Sequence, residues 1–240
     1  MKNKFILEVC AYNIQSCIIA QTVGAARIEL CSSPSEGGTT PSYGTIQQVR
    51  EKISIQLYPI IRPRGGNFIY NNDELAIMKK DILFCKTIGC EGISTGAQLA
   101  NNKIDTELLK RMTDWAYPMG VTCHRVFDMV PDPFEALEDV IDCGCERILT
   151  SGLKRTAVDG ADILKQLVEK AEDRITIMPG GSVRSSNIHE LFTRTGATEY
   201  HTSAITGNNK KSASDTSILN IGEVAIADEE ELKNILSAAL

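Results

Sequence analysis

The chain lacks several signatures at once: no Cys-x-x-Cys pair, no His-x-His or His-Glu-x-x-His motif, and no apolar run of the roughly 18 residues a membrane span needs. A dithiol redox motif, a zinc-hydrolase site and a helical membrane anchor are therefore not expected. Positive charge is also scarce. Lys and Arg number 25 against 31 Asp and Glu, giving a net charge of -6 and a pI near 5.2 with no compensating basic cluster, so no nucleic-acid partner is expected. Met1-Lys2-Asn3-Lys4 leads straight into a strand candidate rather than a secretory apolar region, which makes the cytoplasm the expected location. In that setting the eight cysteines read as free thiols, not as a disulfide framework. Cys17, Cys85 and Cys143, set in apolar helical stretches, read as core filler.

What is present is a repeated pattern. Phe5-Ile6-Leu7-Glu8-Val9-Cys10 is echoed by Arg27-Ile28-Glu29-Leu30-Cys31. Successive side chains of a strand point to opposite faces, so each segment aims a carboxylate and a thiol one way and its aliphatic residues the other. Residues 13–24 between them read as one helix, which makes a βαβ unit with parallel strands about 4.8 Å apart.

The same alternation continues. Strands are expected near residues 4–10, 27–31, 55–62, 92–96, 121–128, 147–151, 175–178 and 199–204, with helices near 13–24, 42–52, 73–89, 105–117, from Pro133, 158–171, 187–195 and from Asp228. A polar segment at about 206–219 precedes the last helix, and residues 221–226 read as a further extended piece. Eight strands alternating with eight helices predict an α/β chain folded as one (β/α)8 TIM-type barrel domain over residues 1–240, with its site at the C-terminal ends of the strands.

The less apolar side of each strand then faces the lumen. That rule gathers Glu8, Cys10, Glu29, Cys31, Arg62 with Arg64 just beyond, His124, Ser151, His201 and Ser203 near one rim. Glu8 and Glu29 are expected to face Arg62 and Arg64, because buried charges need partners. Two readings stand for this set: an ion-pair network fixing the barrel register, or a pocket for a small anionic or phosphorylated substrate. In the second, Arg62 and Arg64 clamp the anion while Glu8 or Glu29 and His124 or His201 exchange protons. Pro179-Gly180-Gly181-Ser182-Val183-Arg184 reads either as a plain glycine-rich turn or as backbone N–H groups offered to a phosphate. Cys10 and Cys31 read as buried thiols or as two soft ligands for Cu(I), which accepts low coordination better than Zn does. No lysine falls on an inner face, so Schiff-base chemistry is not expected, and no organic cofactor is expected.

Seven motifs in order carry a family resemblance: Leu7-Glu8-Val9-Cys10; Arg27-Ile28-Glu29-Leu30-Cys31; Glu36-Gly37-Gly38-Thr39-Thr40-Pro41-Ser42; Ile61-Arg62-Pro63-Arg64-Gly65-Gly66; His124-Arg125 with Phe127-Asp128-Met129; Leu149-Thr150-Ser151-Gly152; and Met178-Pro179-Gly180-Gly181. Together they resemble the CutC copper-homeostasis family across about residues 5–204. The resemblance implies a (β/α)8 barrel, a cytoplasmic homo-oligomer (dimer or tetramer), a part in copper handling, and copper-binding cysteines at Cys10 and Cys31. Arg125, Asp128, Ser151, Gly180, Gly181 and Ser203 join Arg62 and Arg64 as expected anion-binding residues. The chain departs from the family pattern in its weakly apolar fourth strand and in Ser182, which stands where a third glycine is usual.

Overall fold

A computed structural model describes residues 5–205 and 224–238. In chain order these form β1 (Ile6–Ala11), α1 (Ile14–Val23), β2 (Arg27–Leu30), α2 (Tyr43–Lys52), β3 (Gln56–Pro59), α3 (Asn72–Thr87), β4 (Gly92–Thr95), α4 (Thr106–Ala116), β5 (Gly120–Cys123), α5 (Pro133–Asp142), β6 (Arg147–Thr150), α6 (Ala161–Ala171), β7 (Thr176–Pro179), α7 (Ile188–Thr195), β8 (Glu199–Thr202) and α8 (Glu229–Ala238). Helix starts follow local chemistry. Asn13, Ser42, Asn71, Asp105 and Asp132 each accept a hydrogen bond from a first-turn N–H, and Asn71 with Glu74 forms a reciprocal capping box. Gly24 ends α1 at φ 97°, a conformation open to glycine at no steric cost.

The strands are parallel and pair in the orders β3-β2-β1-β8 and β4-β5-β6-β7. The halves meet at one seam where Ile60 bridges Ser94 and the Ile61 N–H donates to the Ser94 carbonyl at 2.7 Å; at the other, β7 lies against β8. The fold is a (β/α)8 barrel. Its apolar strand faces, Leu7, Val9, Ile28, Leu30, Leu57, Ile93, Val121, Ile148 and Tyr200, are buried under Cys17, Ile46, Met78, Ile82, Leu109 and Leu164 of the helices. Each such side chain contributes roughly 1.5–3 kcal/mol by leaving water. The other faces turn into the lumen.

Two expected strand ends move furthest. The fifth strand stops at Cys123 instead of reaching Asp128, because His124 accepts the Val126 N–H on its ring nitrogen and the chain turns into a short 3-10 helix, Arg125–Met129. The third strand spans Gln56–Pro59, not residues 55–62; beyond Pro59, Ile60 and Ile61 reach across to β4. The polar segment at 206–219 lies outside the described residues, as does the start of the extended piece expected at 221–226. Residues 224–228 precede α8 without strand structure.

The lumen floor is a closed set of charges. Arg27 bonds Glu8 and also donates to Glu199 at 2.6 Å; Arg147 reaches the same Glu199 oxygen at 2.6 Å and Glu146 at 2.8 Å. Both guanidiniums lie over the Tyr58 ring, whose hydroxyl donates to Glu146. Glu8 therefore pairs with Arg27 and His201 rather than with Arg62 or Arg64, a correction to the expected pairing. Register decides it: Glu8 lies beside Arg27 on β2 and His201 on β8, while Arg62 follows a strand that β1 does not touch.

Candidate functional site

Above this floor the C-terminal strand ends surround a cavity of about 330 Å³. Cys10, Glu29, Arg62, His124, Arg125, Gly181, His201 and Ser203, all expected from the sequence, line it. Glu8 lies one layer deeper, touching the cavity residues through His201.

On the β1 and β2 side the two sulfurs stand 3.7 Å apart, and Cys31 Sγ is 3.5 Å from a Glu29 oxygen. Gly38 makes this corner possible. At φ +93° it packs so closely that an added Cβ would lie 3.2 Å from the Cys31 sulfur. His201 joins the acids: its Nδ1 is 2.7 Å from Glu8 and its Nε2 3.7 Å from Glu29. Burial alone would raise the Glu8 carboxyl, but the Arg27 guanidinium and His201 outweigh it and hold it at about 2. Burial pushes the Glu29 carboxyl up to about 8 although the His201 charge pulls the other way. His201 resists the desolvation that would lower it, since Cys10, Glu8 and Glu29 surround its ring and raise it well above the ordinary imidazole range. The thiols split: contact with Cys31, helped by His201, drops Cys10 well below the usual thiol value, whereas Cys31 beside Cys10 rises well above it. Cys10 is thus the more acidic of the two.

The other side of the mouth is built from β5 to β8. Asp128 accepts from the Thr150 hydroxyl and from the N–H groups of Ser151 and Leu153, and it pairs with Arg125. It organises the loop after β6 and presents Arg125, which reaches the Ser151 hydroxyl at 2.8 Å. Gly180 is tucked under Leu149, where a Cβ would approach a methyl carbon to 2.4 Å. Gly181, at φ +100°, leaves room that a Cβ would take from Arg125 and Ser151. Arg64 is elsewhere: it turns outward to Glu74 and the carbonyls of Gly65, Asn67 and Ile69, and does not line the cavity.

His124 is unlike His201. Burial, with the Arg62 charge nearby, pushes it down to about 3, and its Nδ1 is occupied by the Val126 N–H. It is neutral at physiological pH, which suits a hydrogen-bond donor better than the acid/base role expected of it. Sequence reasoning missed Tyr12, Phe68 and Leu149 in the wall and the contribution of Arg184 and Ser182 to it. It also missed Arg27, Arg147 and Glu199, although Arg27 shares its strand face with Glu29, and Glu199 with His201.

The donor chemistry tests what the thiol corner can hold. Cys10, Glu29 and Cys31 each bring one ligand atom, all within 4.8 Å of one another and all buried. Two sulfurs and a carboxylate at the edge of an open cavity fit a thiophilic ion of low coordination number; Zn in a structural site takes four ligands.

A parallel (β/α)8 barrel with thiols, acids, imidazole and guanidiniums at its C-terminal mouth defines the class. Comparison with known proteins places the chain within that class. The CutC family model matches residues 5–206. A CutC family protein of Parabacteroides distasonis is 48% identical over 202 residues, 84% of this chain and 83% of the relative. The human copper homeostasis protein cutC homolog is 45% identical over 202 residues, 84% of this chain and 74% of its own length. The crystal structure of a CutC protein from Streptococcus agalactiae superposes with a TM-score of 0.80 at 33% identity, covering 84% of this chain and all of that one. Phosphoribosylanthranilate isomerase of Thermotoga maritima shares the barrel alone, with a TM-score of 0.61 at 10% identity. The chain belongs to the CutC family.

Proposed function

We propose that the protein takes part in copper homeostasis by holding one Cu(I) ion as cargo between the sulfurs of Cys10 and Cys31. The observation that carries this reading is the 3.7 Å separation of two buried thiols beside an open cavity. The Cys31 contact and His201 make Cys10 the more acidic thiol of the pair and the readier of the two to meet the ion as a thiolate. Glu29 accepts a hydrogen bond from Cys31 Sγ at 3.5 Å and brings a third ligand atom beside the two sulfurs. The His201 imidazolium balances the negative charge that a dithiolate gathers. Free thiols persist in reducing compartments, which agrees with work in the cytoplasm, and the family resemblance extends the reading to a homo-oligomer. No described helix is long and apolar enough to cross a membrane.

Anaerobic Cu(I) titration against a competing chelator tests the site. Cys10→Ser and Cys31→Ser should each weaken binding about tenfold or more, ~1.4 kcal/mol or greater. Affinity equal to the wild type in both variants would overturn the reading.

One observation favours a second reading, an enzyme acting on a small anionic substrate. Glu29 keeps its proton near neutral pH and faces the cavity 3.7 Å from His201 Nε2, the arrangement of an acid beside its partner. Turnover of a cavity-bound anion that is lost in Glu29→Gln would support it; unchanged turnover would remove Glu29 from the chemistry.

A further inference from the structure

Two buried donors at the mouth have no acceptor among the described residues. His124 is 3% exposed, and its Nδ1 accepts the Val126 N–H at 3.2 Å, so the ring proton sits on Nε2. That Nε2–H has no partner. Arg62, 5% exposed, gives its terminal nitrogens to the carbonyls of Glu36, Gly38 and Gly66 at 2.7 to 2.8 Å, and its Nε–H is likewise unpartnered. Both groups line the same cavity and both pack on Phe68, the imidazole 4.8 Å and the guanidinium 4.9 Å from its ring. Three of the five N–H groups of Arg62 are taken by these carbonyls, and Arg64, expected from the sequence to help clamp the anion, turns away to Glu74.

A buried donor without an acceptor is costly, and a buried cation without a counter-ion more so. Arg62 has no carboxylate partner among the described residues, and neither does Arg184, whose guanidinium donates to the Val183 and Ile205 carbonyls and the Thr202 hydroxyl. Arg125 adds a third guanidinium to the wall. Water would satisfy the two N–H groups but not the charge, whereas an oxyanion satisfies both. The cavity exceeds what an inorganic ion needs and lies at the lower end of small-molecule sites. Ile60, Phe68 and Leu149 supply an apolar wall for a carbon skeleton.

We propose that the mouth of the barrel binds a small organic acid whose carboxylate or phosphate oxygen accepts from His124 Nε2–H and Arg62 Nε–H, with its carbon skeleton against Phe68. This site does not depend on copper, although Cys10 borders the same cavity. It gives the imidazole just after β5 and the guanidinium after β3 a common purpose.

The experiment uses the full chain, free of metal, and three probes: malonate for a carboxylate, glycerol 3-phosphate for a phosphate ester, and glycerol as the uncharged control. The readouts are calorimetric titration and the Nε2–H resonance of His124 in protein labelled with 15N at histidine. One of the two anions should bind saturably and move that resonance, and which one does so names the anion class. His124→Gln and Arg62→Lys should each weaken binding about tenfold. Two variants guard against one that folds poorly, and circular dichroism identifies it. A Cys10→Ser, Cys31→Ser double variant should bind the anion as the wild type does, which separates this result from the fate of the copper reading. Equal response to glycerol, no movement of the His124 resonance with either anion, unchanged affinity in both folded variants, or loss of anion binding in the double cysteine variant would each overturn the proposal.

Discussion

The floor and the mouth of the barrel carry the same kinds of side chain and differ in how they are satisfied. On the floor, Arg27 and Arg147 meet Glu8, Glu199 and Glu146 within a few ångströms, and both cations rest on Tyr58. At the mouth, Arg62 and Arg184 donate to carbonyl and hydroxyl oxygens and to no carboxylate among the described residues, where two buried N–H groups are left over. Closed charge networks hold a fold together; open ones wait for something else. Buried charge by itself does not mark a functional site, but buried charge without a partner beside a cavity does.

Breaking the floor should have the largest effect on stability. Arg27→Met leaves Glu8 without its strongest partner and removes one of the two from Glu199, and should cost about 3–5 kcal/mol in urea unfolding. A loss below about 1 kcal/mol would show that the floor is not the structural half of the comparison.

The mouth should reveal itself through pH. His124 stays neutral in the folded protein down to about 3, whereas an unfolded histidine takes up its proton near 6.5. The unfolded state therefore binds more protons between these values, and stability is lost as pH falls from 6.5, by about 1.4 kcal/mol per pH unit. From pH 6.5 to 5, His124→Gln should lose about 2 kcal/mol less than the wild type. Parallel stability curves for the two proteins would mean that His124 is not held neutral.

Gly181→Ala forces a Cβ to 3.2 Å from Arg125 and Ser151 at φ +100°. It should lower stability by about 1–2 kcal/mol and weaken the anion site more than the copper site, as paired titrations would report. The smallest effect belongs to Arg64. Its pair with Glu74 is partly exposed, so Arg64→Ala should change stability by less than about 1 kcal/mol and leave both titrations as they are. A strong loss of either ligand would bring Arg64 back into the mouth.

Much of this was legible in the chain. Asn13, Ser42, Asp105 and Pro133 announced helix starts that the structure reproduces, since capping is a contact between neighbours in sequence. The two-residue period placed Glu8, Cys10, Glu29, Cys31, His124 and His201 on the inner side of the barrel. The same period places Arg27 and Glu199 on the inner side, one layer below the C-terminal strand ends where a barrel's site is expected. The end of β5 was not legible, because His124 takes the Val126 N–H into its ring, a choice its neighbours in sequence do not reveal.

By itself, then, the sequence determined the order and approximate place of the strands and helices and which side chains within the strands turn inward, because both follow from periodicity and from contacts only a few positions apart. Tertiary structure alone decided who meets whom: Glu8 with Arg27 instead of Arg62, Cys10 with Cys31 at 3.7 Å, and an Nε2–H and an Nε–H with no acceptor among the described residues. Those outcomes depend on the stagger between strands that are distant along the chain, and a period of two residues carries no information about stagger.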